Sequence, residues 1–322
     1  MSGSNIVIGS LARTAIAKFG GSFQSLTAPQ LGAKAIRGAL DRLSDYTAAL
    51  PTVREVYMGN VVSAGLGQAP ARQAVRGAGG VLLSDATICT TVNKVCASGM
   101  KSVMLAAQTL QLASYRRGNN DEEPFCMIAG GMESMTNIPH YMMKSRTGQA
   151  LGNMELTCGL IHDGLWDIYN NQHMGNCGEK CAKDYNFSRQ DQDAYAMASY
   201  ERAQLAMEAG YFTDIVPVEA PKGRKGTITV DKDEEPFSVD LERLPTLTPA
   251  FDRENGTVTA ANASSLNDGA AALVLMTEKE AQARRIPALA RILGWGDAEQ
   301  DPVDFTTTPS LAVPVALKHA GV

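Results

Sequence analysis

Two runs of alternating strand and helix signals, one over residues 6–131 and one resuming at residue 256, constrain this chain more than any other feature. In the first run, residues 6–8 read as a short strand and 30–43 as a helix, with Leu31, Ala35 and Leu40 at helical spacing. Residues 53–59 follow as a strand and 68–76 as a helix closed by Gly77-Ala-Gly-Gly80. Residues 87–95 are rich in β-branched side chains and predict a buried strand. Residues 97–113 predict a helix with Met100, Val103, Met104, Ala107 and Leu110 on one face. A strand over 125–129 then stops at Gly130-Gly131. This order belongs to an α/β chain with a mostly parallel sheet covered by helices on both sides. At 322 residues the chain is long enough to bury the large core such a sheet needs.

From residue 132 to about 248 the pattern lapses into Gly, Asn, Met and charged residues. The segment reads as a long excursion with helices of its own. One spans 189–209: Ser188 suits its N-cap, Asp191 lies three residues on, and Gly210 ends it. Residues 219–243 are dense in both charge signs and predict a solvated hairpin. The core pattern resumes at Gly256-Thr-Val-Thr259, followed by a run of small residues and strands over 270–276 and 288–295. A helix over 310–319 comes last. A strand–helix series that has just restarted rarely stops at such a point, so an incomplete polypeptide is expected.

The balance of charge narrows the partners. The formal net charge is −5 and no basic block occurs, which argues against nucleic acid and membrane surfaces while allowing a local site for a small anion. No apolar run is long enough to cross a bilayer. Met1-Ser-Gly-Ser-Asn5 leads at once into an apolar strand, with neither a secretory pattern nor an Arg-rich presequence. A cytoplasmic protein is expected, and a mature mitochondrial form would read the same way. The six cysteines, at 89, 96, 126, 158, 177 and 181, then read as reduced thiols and not as a disulfide framework.

One of those thiols stands where chemistry is favoured. In Asn93-Lys-Val-Cys96-Ala-Ser-Gly-Met-Lys101 a β-branched strand leads into Cys96, and the next three residues are small. Small residues let a substrate approach the sulfur. The free N–H groups of the new helix stabilise a thiolate by dipole and hydrogen bond. Spacing alone leaves this reading level with a buried cysteine at the start of a core helix.

The segment closely resembles the nucleophile motif of the thiolases, specifically the acetoacetyl-CoA thiolases. Gly130-Gly-Met-Glu-Ser-Met135 resembles the family's glycine turn, and Asn171-Gln-His-Met-Gly175 its substrate-loop motif. Asn255-Gly-Thr-Val-Thr-Ala-Ala-Asn-Ala-Ser264, with Leu266-Asn-Asp-Gly-Ala-Ala-Ala272, is similar to the segment at the pantetheine. The resemblance implies a five-layered αβαβα fold with an inserted loop domain and an incomplete second half. Its divisions are 1–131 with 249–276 as the first half, 132–248 as the loop domain, and 277–322 as the start of the second half.

It also implies a reaction. Cys96 takes an acetyl group as a thioester, and acetyl-CoA condenses with it to acetoacetyl-CoA, or CoA accepts the group in reverse. The Cys96 N–H would supply one oxyanion donor. By resemblance His173 and Met174 line the pantetheine channel, Ser264 bonds its amide, and Leu165 and Phe251 are apolar pocket positions. The CoA phosphates would meet Arg243, or the basic residues 222–225. Tyr200, Ala260, Ala261 and Ala263 match potassium-binding positions of the mitochondrial-type enzymes. No cofactor is obligatory, CoA being substrate and product, and a homodimer or homotetramer is implied.

Other readings compete with these. His173, Cys177 and Cys181 lie at i, i+4 and i+8, with Cys158 or His162 as a fourth zinc ligand. Structural zinc sites usually show tighter paired spacings, Gly178 weakens the helix, and the family uses no zinc here. Cys89 and Cys96 could form a redox pair, though seven residues across a strand-turn place them poorly. The family's downstream Asn-Glu-Ala-Phe, Gly-His-Pro and Cys-x-Gly-x-Gly motifs do not occur in these residues, and His319 in Lys-His-Ala-Gly is no substitute. A chain with little condensing activity, or a CoA-binding partner, is therefore the alternative expectation.

Overall fold

Seven strands form one mixed sheet in the computed structural model, which describes residues 5–46, 51–80, 82–117, 125–148, 150–223 and 226–322. The elements of the first run are β1 (Ile6–Arg13), β2 (Ala17–Lys18), α1 (Ala28–Ser44), β3 (Thr52–Gly59), α2 (Pro70–Ala78), β4 (Ile88–Val92), α3 (Ser98–Arg117) and β5 (Phe125–Ser134). The intervening region holds two small antiparallel pairs. One joins β6 (His140–Met142) to β7 (Leu156–Cys158), the other β8 (Trp166–Asp167) to β9 (Gln172–His173). Two helices follow, α4 (Met174–Asp184) and α5 (Arg189–Glu208), then the hairpin β10 (Val218–Pro221) and β11 (Thr227–Val230). The chain returns to the sheet with β12 (Asn267–Thr277), α6 (Glu278–Arg284), β13 (Ala290–Ile292) and α7 (Thr308–Ala320).

The sheet runs β13-β1-β12-β5-β3-β4, with β2 paired to β12. Among the described residues of this sheet only the β3–β4 and β3–β5 pairs are parallel; β12 is antiparallel to β1, β2 and β5, and β13 is antiparallel to β1. The expected mostly parallel sheet is thus a mixed one, because the late strand β12 enters its middle against both neighbours.

Alternation along β5 shows how both faces are covered. Cys126 and Ile128 point into the larger core beneath α1 and α2, together with Val56, Met58, Val274 and Met276. Phe125, Met127 and Ala129 point the other way, onto Ala106, Ala107 and Leu110 of α3. A period of two on a strand with both faces buried gives a continuous apolar run, as residues 125–129 show. The β-branched strand expected to be buried is instead the edge strand β4. Among the described residues it pairs with β3 alone, and Ile88 is 51% exposed.

Helix ends follow local chemistry. Ser188 Oγ accepts from the Asp191 N–H at 3.1 Å, Asp191 accepts from the Ser188 N–H at 3.0 Å, and Gly210 is left-handed at φ +71° beyond the helix end. The charged hairpin is present as β10 and β11, but only one of its faces is solvated. Val218, Ala220 and Val230 join the large core. No helix among the described residues is long and apolar enough to cross a membrane.

Candidate active site

The C-terminal ends of the three mutually parallel strands meet at one cleft, the usual place for a ligand in an α/β sheet. Its volume is about 420 Å³, and its walls include Cys96, Gly99, Gly131, Met132, Glu133 and Leu165. Cys96 follows β4, lies just ahead of α3, and is exposed. Gly59 ends β3 and allows the approach: a Cβ there would lie 2.5 Å from the Gly99 nitrogen, so any side chain would lift the first turn of α3 off the sheet. Gly99 in turn packs toward Gly131. Gly99, the last of the three small residues expected to clear space for substrate, therefore also seats the helix.

The turn carrying Cys96 is strained and tightly tied. Val95 adopts φ +48°, a conformation that costs a β-branched residue roughly 1–3 kcal/mol. Its N–H donates to Asn93 Oδ1 at 3.0 Å, and its carbonyl accepts from Ser98 Oγ at 2.5 Å and the Ser98 N–H at 3.0 Å. Ser98 Oγ also accepts from the Lys94 N–H at 2.8 Å. Lys94 and Lys101 pair outward with Glu299 and Asp297, joining the turn to the segment after β13.

Glu133 forms the polar part of the cleft wall. It accepts from the Val61 N–H at 2.7 Å and from Asn60 Nδ2 at 2.9 Å. Burial pushes its carboxyl up to about 7, opposed by the Val61 and Val62 N–H groups and Asn60, and aided by the charge of Asp268.

His173 and Phe251 come together as a stacked pair, and neither is among the residues lining that cleft. Their rings stack with centroids 4.8 Å apart. His173 is the N-cap of α4, its Nδ1 accepting from the Gly175 N–H at 3.0 Å, and burial lowers its pKa. A Cβ on Gly175 would sit 2.2 Å from the Phe251 ring, so glycine is required beside the stack. Glu179 on α4 accepts from the N–H groups of Thr257 and Val258 at 2.8 Å and holds the following loop.

The remaining expected residues are distributed more widely. Leu165 ends a single π-helical turn, Leu160–Leu165, on the cleft wall, and Met174 opens α4. Arg243 and Ser264 are exposed, as is Lys222; residues 224 and 225 lie outside the described residues. Tyr200 packs with Ala261 in a small cluster around Leu244, and the loop closes through Ala263 N–H to the Thr259 carbonyl at 3.0 Å. Ala260 is exposed. The described residues, His173, Cys177 and Cys181 among them, contain no group of three or more His, Cys, Asp or Glu side chains placed to hold a metal. All six cysteines are free; burial raises the Cys89 thiol and pushes that of Cys126 up to about 12.

Residues 6–279 match the family model for the thiolase N-terminal domain. The chain belongs to the thiolase family. An acetyl-CoA acetyltransferase of Schizosaccharomyces pombe is 50% identical over 100% of this chain and 78% of its own length. The mitochondrial acetyl-CoA acetyltransferase of Mus musculus is 49% identical over 99% of this chain and 72% of its own. In structure, the chain is similar to an Ascaris suum thiolase in complex with coenzyme A, with TM-score 0.86, 38% identity, and coverage of 99% of this chain and 78% of that one. The fold is accordingly the thiolase fold, and the enzyme class is acyltransferase.

Within that thiolase frame, the motifs do not single out Asn93, Ser98, Asn60 and Glu133, whose hydrogen bonds hold the Cys96 turn and the cleft wall. Asn93 carried a usable signal, since an Asn two residues before a strained position commonly bonds its N–H. A carboxylate following a glycine pair at the end of a buried strand was the signal for Glu133.

Proposed function

We propose that this chain acts as an acetyl-CoA C-acetyltransferase with Cys96 as its nucleophile. The observation carrying this is an exposed thiol just ahead of the first turn of α3, opening into the cleft at the strand ends. The Cys96 thiolate attacks the thioester carbonyl of acetyl-CoA, the carbon–sulfur bond to CoA breaks, and CoA leaves as its thiolate. A second acetyl-CoA loses a C2 proton, which ends on the CoA thiolate released in the first step, and its carbanion attacks the acetyl-Cys96 carbonyl. The new carbon–carbon bond gives acetoacetyl-CoA as the cysteine sulfur departs; thiolysis is the reverse. The Cys96 N–H would bind the oxyanion.

The CoA chain would run past Leu165, His173, Met174 and Phe251, toward Ser264 and Arg243. Support comes from the His173–Phe251 stack and from the CoA-bound relative. Isotope exchange between acetyl-CoA and labelled CoA needs only the first half of the reaction. Exchange is expected in the native chain and is lost in Cys96→Ala; exchange at the native rate in that variant would contradict the assignment.

Three subsidiary roles belong to the same proposal. The open edge of β4, with Ile88 half exposed, suits pairing with a second copy in a dimer or tetramer. Potassium would be held by Tyr200 and the backbone of Ala260, Ala261 and Ala263, where its charge would fix the loop; the packing of Tyr200 on Ala261 and the closure through Thr259 suit such a site. A thermal midpoint equal in potassium and sodium would remove that site. A cytoplasmic location is proposed, among relatives that include cytosolic and mitochondrial enzymes.

A further inference from the structure

We infer that Asn93 and Glu133 are positioning residues for the nucleophile, acting on Cys96 from opposite sides of Val61. An unbroken series of hydrogen bonds joins them. Glu133 Oε2 accepts from the Val61 N–H at 2.7 Å, the Val61 carbonyl accepts from Asn93 Nδ2 at 3.0 Å, and Asn93 Oδ1 accepts from the Val95 N–H at 3.0 Å. Asn60 braces the same segment: its N–H donates to the Val92 carbonyl, and Nδ2 bridges Glu133 and the Met132 carbonyl. The ends of β3, β4 and β5 are thereby fixed relative to each other at the cleft.

The element held is Val95, left-handed at φ +48° and directly before Cys96. Without Asn93 its N–H loses its acceptor, and the strained conformation relaxes toward negative φ, carrying the sulfur away from the start of α3. Ser98 ties the other side of the turn independently, through the Lys94 N–H and the Val95 carbonyl, so the helix start itself stays formed. Glu133 acts one step further back. A glutamine there keeps the volume but turns one of its two acceptors into a donor facing other donors, which frees Val61 and with it Asn93.

The inference rests on Cys96 being the nucleophile, but its test needs no acyl donor. Failure of acetyl exchange in the native chain would remove that assignment and leave this test standing. Alkylation of Cys96 by iodoacetamide at pH 8.5, where Glu133 is ionised, is followed by peptide mass mapping, with the half-buried Cys158 and Cys181 as references in the same molecule. Asn93→Ala and Glu133→Gln are each expected to slow Cys96 labelling about tenfold, with the reference thiols unchanged. Asn93→Ser, whose hydroxyl can make the same turn, restores part of the rate. The double variant is expected to fall within about twofold of the slower single one, because Glu133 acts only through Val61 and Asn93. Native labelling rates in both single variants would overturn the inference. So would independent, multiplying effects, or an equal change at Cys158 and Cys181.

Discussion

Val95 and Ala69 are both non-glycine residues in the left-handed region, at φ +48° and +51°, yet only one has a purpose visible in its surroundings. Val95 is held by Asn93 and Ser98 and presents Cys96. Ala69 caps the N-terminus of α2 without a side-chain hydrogen bond. Relieving its strain should therefore stabilise the protein at no functional cost: Ala69→Gly is expected to raise the unfolding free energy by about 1 kcal/mol in urea titration. A lower value in the variant would show that Ala69 is not strained. Glu133 gives a second prediction at this scale. Its folded pKa of about 7 exceeds the ordinary 4.5, so the folded state binds this proton more tightly. The stability it contributes is complete below about pH 4.5 and is lost as the pH rises through 7. Between pH 5 and 8 the native chain should lose stability relative to Glu133→Gln; a pH-independent difference would contradict the assignment.

Among the elements, those set by local chemistry were legible in advance. The Ser188–Asp191 cap, the helix after Cys96 and the apolar β5 all follow from residues a few positions apart. Strand direction and order do not. β12 inserts between β1 and β5, more than 130 residues after the end of β5, and nothing in its composition specifies antiparallel pairing on both sides. The β-branched run of β4 resembles a buried strand, but a strand at the sheet edge has neighbours on one side only. The site shows the same division. Cys96 is marked by its flanking residues, whereas the role of Glu133 exists only through contact with Val61, 72 residues away in sequence. α4 offers a test at this scale. Gly175→Ala should displace Phe251 from His173 and weaken CoA binding in calorimetry, with Cys96 alkylation unchanged. Unaltered CoA affinity would place the stack outside the CoA site.

In the whole molecule, the two-faced core under α1 and α2 on one side and α3 on the other holds three parallel strand ends at fixed separation. Cys96, the Asn60–Val61 segment and Glu133 each follow or end one of those strands. The thiolase fold thus supplies rigidity where the chemistry needs a sulfur aimed into a cleft of about 420 Å³. The central claim is that this sulfur carries the acetyl group. Mixing the chain with acetyl-CoA, quenching in acid and mapping the peptides should find one acetyl group on the peptide bearing Cys96, and none there in Cys96→Ala. Acetylation confined to other residues, or none at all in a folded native chain, would contradict it.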